Sequence, residues 1–369
     1  MDENNKLKLA ILGANEFQKP LILRAREKNI ETHVFAWMDG AVAAQDADFF
    51  YPISIVEKET ILKKCREIGI DGITSIGSDV AVATMNYVSE KLGLTGNSIA
   101  SSPICMNKYI MREKLKAGGL YVPGYQCVSS AEEIDIDGFR FPVIVKPTDR
   151  SGSRGIMKVN SRENLASAVE EAIEYSFENK AIIEDYIEGP EFSCECISRQ
   201  GEHTMLAITQ KFTTGEPHYI ETGHIEPAPL SEEAYDIIRR NVFNALSILG
   251  IQNGASHSEF KYQDGEVKFI EIGARMGGDY IGSSLVYLST GMDYTGMVID
   301  VALGKPLDFT VKRQPRPVCV RFIMDKSDLE EYRRISAEHT IIEEDISGAD
   351  EEREVLDSAT RLGYYIYFL

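Results

Sequence analysis

No two cysteines in the sequence stand in a CxxC pair, and Cys65, Cys105, Cys127, Cys194, Cys196 and Cys319 form no regular framework. That excludes a disulfide scaffold, which a chain of this size does not need. We read the thiols as reduced and mostly buried. Cys194 and Cys196 share one strand face, but no nearby His or Cys completes the four-ligand set that zinc takes. Long apolar runs are missing too: Lys, Asp, Glu or Gly interrupts every candidate before the roughly 20 residues needed to span a bilayer. The opening MDENNKLKLAILGAN has no basic start, long apolar stretch or small-residue cleavage site, so we expect no signal peptide and a cytoplasmic protein. Basic residues are the scarcer charge, 39 Lys and Arg against 58 Asp and Glu, net −19. A field of that sign opposes nucleic-acid backbones and anionic membranes, so a phosphate-bearing ligand must be met by a local cluster. Finally, no GxGxxG follows the first strand and no GK[ST] ends a glycine-rich loop, which removes the dinucleotide fingerprint and the Walker A loop.

The composition is that of an ordinary globular chain, 43% hydrophobic and 26% charged over 369 residues. That length suits two or three domains of roughly 100–200 residues each. Up to about residue 100, short apolar runs alternate with amphipathic stretches, the pattern of strand–helix–strand units on a parallel sheet. LKLAILGAN reads as the first strand and its turn. A helix starting near Pro20 turns Leu21, Ile22 and Ala25 inward before Asn29. THVFAW, a helix over 57–68, GITSI and a helix over 80–92 continue the series. Near NSIASSP the pattern changes, and we place a boundary at 100–106. The amphipathic helix NKYIMREKLKAGG is followed by strands FPVIVKP and IMKV, which meet across TDRSGSRG, and by a helix over 162–176. AIIEDYI, EFSCECISR and HTMLAITQKF alternate as sheet strands do. TTGEPHYIETGHIEPAPL reads as a long polar connection with little periodicity, a kind of segment that is more often functional than neutral. A helix from Ser231 to about Leu249, a hairpin (ASHSEFKY, turn QDGE, VKFIEIGAR), helices to about 303 and a small mixed cap complete the chain.

Three constellations carry chemistry. The first is IVKPTDRSGSRGI, whose Gly, Ser, Thr and Arg residues let the backbone close around an anion and present N–H and guanidinium donors. Lys146 adds a point charge beside it; a mobile polar hairpin tip is the plainer reading of the same residues. The second is the hairpin. With its turn near Asp264–Gly265, residues whose numbers sum to about 530 lie opposite, so Glu259 faces Glu271. Opposed carboxylates repel, and a shared divalent cation removes the penalty; with oxygen ligands and phosphates nearby, Mg²⁺ is the natural choice. Glu271 also lies in the otherwise apolar FIEIGA, where an unpaired acid is costly to bury. The third is IIEDYIEGPEF, an extended linker whose alternate backbone N–H and C=O groups can read a flat base, with Glu191 placed to accept ribose hydroxyls.

Taken in order, Lys108 on its helix, Lys146 with the glycine-rich loop, EDYIEGPE, Glu259, Glu271 and Arg275 closely resemble the ATP-grasp superfamily. The resemblance implies mixed α/β and α+β architecture: a Rossmann-like leading domain (1–105), an ATP-grasp domain (106–303) of two α+β subdomains (about 106–188 and 189–303), and a C-terminal cap (304–369). It also implies that Lys108 and Lys146 hold ATP phosphates beneath a loop containing Ser151, Gly152, Ser153 and Gly155. Asp185 and Ile187 would bind adenine through their backbones, Glu184 would lie beside its amino group, and Glu191 would bind ribose. Glu259 and Glu271 would be ligands of Mg²⁺, with Mn²⁺ as the alternative. Many members carry Asn two residues after the second Glu; here Gly273 stands there, which puts a third protein ligand in doubt.

EIGARMGGD, HSE and ETGHIEPAPL look like the L-amino acid ligase and carboxylate–amine ligase branch. That branch implies that Arg275 grips the substrate carboxylate or acyl phosphate, Gly278 offers an N–H, and Asp279 borders an amino-acid pocket. It also implies that His224 lies in a loop over the reacting phosphate, with His257 a second candidate beside the metal. A satisfied structural role is the alternative reading of either histidine. The expected activity is amide or peptide bond formation from a small carboxylate and an amine, through an acyl phosphate, with release of ADP and phosphate. Arg275, Lys146 and His224 are the catalytic candidates. The alternatives are a ligase or carboxylase acting on a purine precursor or bicarbonate, and a regulatory module that holds ATP without turnover. The family often forms homodimers through the leading domain.

Overall fold

The computed structural model describes residues 6–150, 152, 154–216, 219–349 and 354–369. Its first unit is a four-stranded parallel sheet in the order β3-β2-β1-β4, built from β1 (Lys8–Leu12), β2 (Glu31–Phe35), β3 (Phe49–Tyr51) and β4 (Gly72–Thr74). Both faces of β1 are covered, as in parallel sheets generally. Leu9 and Ile11 join one apolar cluster with Leu21, Ile22 and Ala25 of α1 (Lys19–Glu27). Ala10 and Leu12 join another with Ile61, Leu62 and Cys65 of α2 (Lys58–Ile68) and Ala81 and Val88 of α3 (Asp79–Leu92). The expected series of elements is present; the short β3 is added to it.

After α4 (Ser102–Met106), the helix α5 (Lys108–Ala117) starts where the Asn107 side chain accepts the Ile110 N–H at 3.0 Å. A second four-stranded sheet follows, antiparallel, in the order β5-β8-β6-β7: β5 (Tyr125–Val128), β6 (Val143–Pro147), β7 (Met157–Val159) and β8 (Ala181–Asp185). The apolar stripe of α6 (Leu165–Tyr175), Leu165, Ala168, Val169 and Ala172, packs on it.

The third sheet has eight strands in the order β13-β12-β9-β10-β11-β14-β16-β15. It contains β9 (Glu191–Arg199), β10 (Glu202–Thr213), β11 (Glu221–Glu226), β12 (Gly254–Gln263), β13 (Glu266–Gly273), β14 (Val318–Ile323), β15 (Ile341–Asp345) and β16 (Gly363–Phe368). Helix α7 (Glu232–Leu249), capped by Ser231, covers one face. A π-helical turn at Ile281–Leu285 leads into α8 (Val286–Thr290), followed by α9 (Tyr294–Ala302); α10 (Lys326–Glu338) lies on the C-terminal side. Met297, Val298 and Ile299 of α9 share the cluster of Leu9 and Leu21, joining the first and third sheets.

One expectation is corrected here. The segment 213–230 is not a continuous connection: β11 lies within it and pairs with both β10 and β14. Gly223 reads as a breaker in sequence, yet a Cβ there would come within 2.7 Å of the Val320 carbonyl oxygen. The glycine serves close approach of two strands. All six cysteines are free, Cys127 half-buried and the others buried. Among the described residues no helix is long and apolar enough to cross a membrane.

Candidate functional site

A cleft with about 1120 Å³ of empty space opens between the second sheet and the β9, β12 and β13 side of the third. Its cationic wall begins at α5. Lys108 is buried; its Nζ donates to the Arg150 carbonyl oxygen at 2.6 Å and lies 3.1 Å from Glu271 Oε1. One turn on, fully buried Arg112 places Nε 2.6 Å from Glu184 Oε1 and donates from Nη2 to the Ile270 carbonyl oxygen at 2.6 Å. Lys146 Nζ meets the other Glu184 oxygen at 2.7 Å. Burial by itself would raise Glu184, but Arg112 and Lys146 outweigh it and pull the carboxyl down to about 2. Burial, with Arg112 and Lys108 beside it, holds Lys146 below its ordinary value despite Glu184. These cations outnumber the carboxylate between them. Arg112 Nη1 is buried with no hydrogen-bond partner among the described residues. A cluster of that kind is built for an incoming polyanion.

The Glu184 cluster has a consequence for acid stability. A carboxyl that titrates near 2 when folded and near 4.5 when free contributes about 3 kcal/mol above pH ~4.5. That contribution is lost as the pH falls through the folded value. We expect Glu184→Gln to be less stable than wild type near neutral pH and to have a flatter stability profile between about pH 5 and 2. Parallel profiles in urea unfolding across that window would sink the idea.

The opposite wall is the β12–β13 hairpin. Asp264 and Gly265 both take positive φ, 53° and 82°, which is the two-residue turn that follows the twist of paired strands. The turn pairs the strands as far as Phe260 with Phe269, and a one-residue bulge beyond that pair shifts the register so that Glu259 stands opposite Glu271, as expected. The extra residue, Ile270, is the one whose carbonyl receives Arg112. Lys211 of β10 is inserted beside the acids, with Nζ 2.5 Å from Glu259, 3.2 Å from Glu191 and 3.7 Å from Glu221. Burial opposes the Lys211 charge, but the three carboxylates raise its pKa far above the usual value. In return Lys211 and His257 hold Glu259 well below the carboxylate range, against its burial. Glu191 is shifted upward by burial and by Glu259 and Glu221, against the pull of Lys211. His257 faces Glu195 through Nδ1 and Glu259 through Nε2, the latter at 3.1 Å. Burial would lower it, yet the two carboxylates raise it to about 9, so the ring is an imidazolium.

The donor set fits Mg²⁺. Glu259 and Glu271 are carboxylates at opposed register positions that would supply oxygen ligands, and this ion is commonly held by one or two carboxylates plus phosphates and waters. No third protein ligand comes from position 273. A Cβ there would meet Asp79 Oδ1 at 3.0 Å and the Arg275 guanidinium at 3.3 Å. That space is filled by a bidentate pair, Arg275 Nε and Nη2 at 2.8 and 2.9 Å from the Asp79 carboxylate at the start of α3. Among the described residues no cluster of three or more His, Cys, Asp and Glu has metal-holding geometry.

Lys108, Lys146, Gly152, Glu184, Asp185, Ile187, Glu191, His257, Glu259, Glu271 and Arg275 all line this cleft, so residues from separate constellations converge there. Glu184 also pairs there with Arg112 and Lys146. Gly155, His224, Gly278 and Asp279 do not line it, and Ser151 and Ser153 lie outside the described residues. His224 needs correction: it sits on β11, not in a loop, and is fully buried. Its Nε2 is 3.7 Å from Asp279 Oδ2 and its ring is edge-on to Phe322. Burial keeps its pKa below the ordinary value despite Asp279. Asp279 takes a bidentate pair from Arg361, at 2.9 Å twice, and Arg361 also bonds Glu221 at 2.9 Å. Asp279 and Arg361 themselves line another cavity, together with Phe17, Tyr280, Phe322 and Tyr364. Gly278 borders open space.

Arg112, Lys211, Glu221, Tyr219 and Lys261 also line the cleft and were not singled out from sequence. A signal existed for Lys211: the β9–β10 hairpin sets it opposite Glu191, an opposite-charge cross-strand pair. Arg112 left none, because on an amphipathic helix it looks like any solvated charge.

The three-sheet arrangement and a cleft with phosphate-type cations on one wall and paired carboxylates on the other define a nucleotide-binding protein of the ATP-grasp kind. A family model for an ATP-grasp domain matches residues 139–283. D-alanine–D-alanine ligase A of Clostridium perfringens is 34% identical over 231 residues, 57% of this chain and 76% of that enzyme. Alanine–anticapsin ligase of Bacillus subtilis is 27% identical over 276 residues, 68% of this chain and 58% of that protein. The crystal structure of an L-amino acid ligase from Bacillus licheniformis matches with a TM-score of 0.81 at 25% identity, covering 99% of this chain and 93% of that one. This chain spans little more than half the length of some of the curated relatives it matches. It belongs to the ATP-grasp family, and these relatives are themselves named as ligases.

Proposed function

We propose that this chain is an ATP-dependent ligase joining a carboxylate to an amine, with amino acids as the substrate class. The observation that carries the reading is the convergence, in one cleft, of Lys108, Arg112 and Lys146 with the opposed Glu259 and Glu271 and with Arg275. The names of the relatives support it, since each is a ligase of amino acids or of an alanine with a second partner. In this reading the substrate carboxylate attacks the γ-phosphorus of ATP, giving an acyl phosphate and ADP. The amine then attacks the acyl carbon, and phosphate leaves as the amide forms.

The residues act by position and charge. Lys108, Arg112 and Lys146 receive the phosphates, while Glu191 with Lys211 lies where the ribose would reach. Glu259 and Glu271 would hold Mg²⁺, which when bound neutralises charge on the phosphate oxygens. Arg275 sits between cleft and Asp79, with Nη1 donating to the Met276 carbonyl oxygen at 3.3 Å and to no other group among the described residues, a long bond that a carboxylate or acyl phosphate can displace. Loop residues 148–155 would shield the acyl phosphate from water. One tie already anchors that loop: the Asp149 carboxylate accepts from Ser176 Oγ and from the backbone N–H groups of Phe177 and Glu178.

The test is phosphate release from ATP with Mg²⁺ across pairs of amino acids, with products identified by mass. ADP, phosphate and an amide are expected together for at least one pair. ATP binding with no phosphate released from any pair would instead identify a module that holds the nucleotide without turning it over.

A further inference from the structure

Glu195 lies on β9 between the two halves of the acidic wall and is fully buried. Nothing in its sequence context marks it, and in register it stands directly opposite His257. Its Oε1 takes His257 Nδ1, and its Oε2 accepts the Gly277 backbone N–H at 3.0 Å. Through its other ring nitrogen, His257 holds Glu259. A single carboxylate therefore touches, by one intermediate each, a carboxylate of the metal pair and the backbone that carries Arg275 and Gly278. The fit is tight. A Cβ on Gly277 would stand 2.6 Å from Glu195 Oε1 and 2.7 Å from His257 Nδ1, so no larger residue sits there without moving one of them.

We propose that Glu195 is a positioning residue, which sets Glu259 and the Arg275–Gly278 backbone at one fixed separation across the reacting phosphate. The proposal rests on the ligase reading. Glu195 itself touches neither nucleotide nor substrate. Its oxygens are both used on the protein, with the buried Tyr294 hydroxyl also facing them, and it reaches the cleft through His257 and Gly277. The partner groups behind metal-binding side chains are typically worth 10–100-fold in metal affinity or activity, and Glu195 stands in that relation to Glu259.

Glu195→Gln keeps the volume and the acceptor for Gly277 but loses the negative charge facing His257. Two measurements separate positioning from mere folding. In the substrate-free protein, ATP affinity is read by calorimetry with and without Mg²⁺. The metal-free affinity should stay within about 2-fold of wild type, while the strengthening that Mg²⁺ confers falls about 10-fold or more. In turnover, kcat should fall about 10–100-fold with KM for ATP little changed. Gly277→Ala, which pushes on Glu195 from the opposite side, should reproduce both results and decides the matter if Glu195→Gln does not fold. Wild-type kcat and Mg²⁺ dependence in these variants would overturn the proposal. So would an equal loss of ATP affinity with and without Mg²⁺, which is what general loosening of the sheet produces. A wild-type protein that makes no product would sink the ligase reading alone, since the binding measurement needs no turnover.

Discussion

Alanine at Glu271, or at Glu259, is expected to cut ATP-dependent product formation by at least about 10³-fold, equivalent to about 4 kcal/mol of lost transition-state stabilisation. Each substitution removes one of the two opposed carboxylates on the hairpin that we propose as the metal ligands. Position 273 cannot compensate, because Asp79 and Arg275 fill the adjacent space. Stability should respond differently at the two sites. Glu271 has Lys108 as its ion-pair partner, and that lysine keeps its bond to the Arg150 carbonyl oxygen, so Glu271→Ala should unfold close to the wild-type temperature. Removing Glu259 leaves the His257 ring with one carboxylate and Lys211 with two, a less neutral environment. Phosphate release and thermal melts on the two variants give both readouts. Turnover within tenfold of wild type in Glu271→Ala would remove the metal-ligand assignment.

Lys211→Met should be the most destabilising single change on the cleft wall, by about 3–5 kcal/mol, the usual result of leaving buried charge without its partner. Lys211 is buried and is shared by Glu191, Glu221 and Glu259. Without it, burial and mutual repulsion raise those carboxyls, and the sign of the pH dependence follows. An acid whose folded pKa is raised loses stability as the pH rises past its free value, so the variant should gain stability as the pH falls from about 7 toward 5. Glu184 has the opposite sign, because there the cations remain. Added Mg²⁺ should restore the variant more than it stabilises wild type, since it returns positive charge to Glu259. Urea unfolding at two pH values, with and without the cation, checks all three statements. A loss under about 1 kcal/mol would mean that solvent already screens these carboxylates.

Where a relationship is carried by neighbouring residues, the chain spells it out. The Asp264–Gly265 turn sets the pairing as far as Phe260 against Phe269, because register in a hairpin depends on turn length. That register alone would put Glu259 against Ile270, and it is the bulge at Ile270 that brings Glu271 opposite Glu259. Lys146 at the end of an apolar strand and Asn107 before a helix are local in the same way. Element type failed at β11, where Gly, Thr and Pro suggested a connection although the backbone is paired on both sides. Gly223 there answers to Val320, a contact no local pattern announces. His224 followed the same error, placed in a loop when it is sealed inside a sheet.

By itself, then, the sequence determined the alternating elements of the first hundred residues, the glycine-rich loop, the hairpin that carries the two glutamates and the family resemblance, all of which rest on periodicity or on short ordered motifs. Only the tertiary structure decided which charges meet. Arg112 and Glu184 are 72 residues apart, Asp279 and Arg361 82, and Asp79 and Arg275 196. Each of these ion pairs is worth forming only because packing withdraws both partners from water, and that desolvation has no signature in the spacing of the chain. The net charge of −19 shows the same division. It forecast that anions must be bound by a local cluster, and the fold gathered Arg112 and Lys146 around Glu184, with Lys108 beside Glu271, in one cleft.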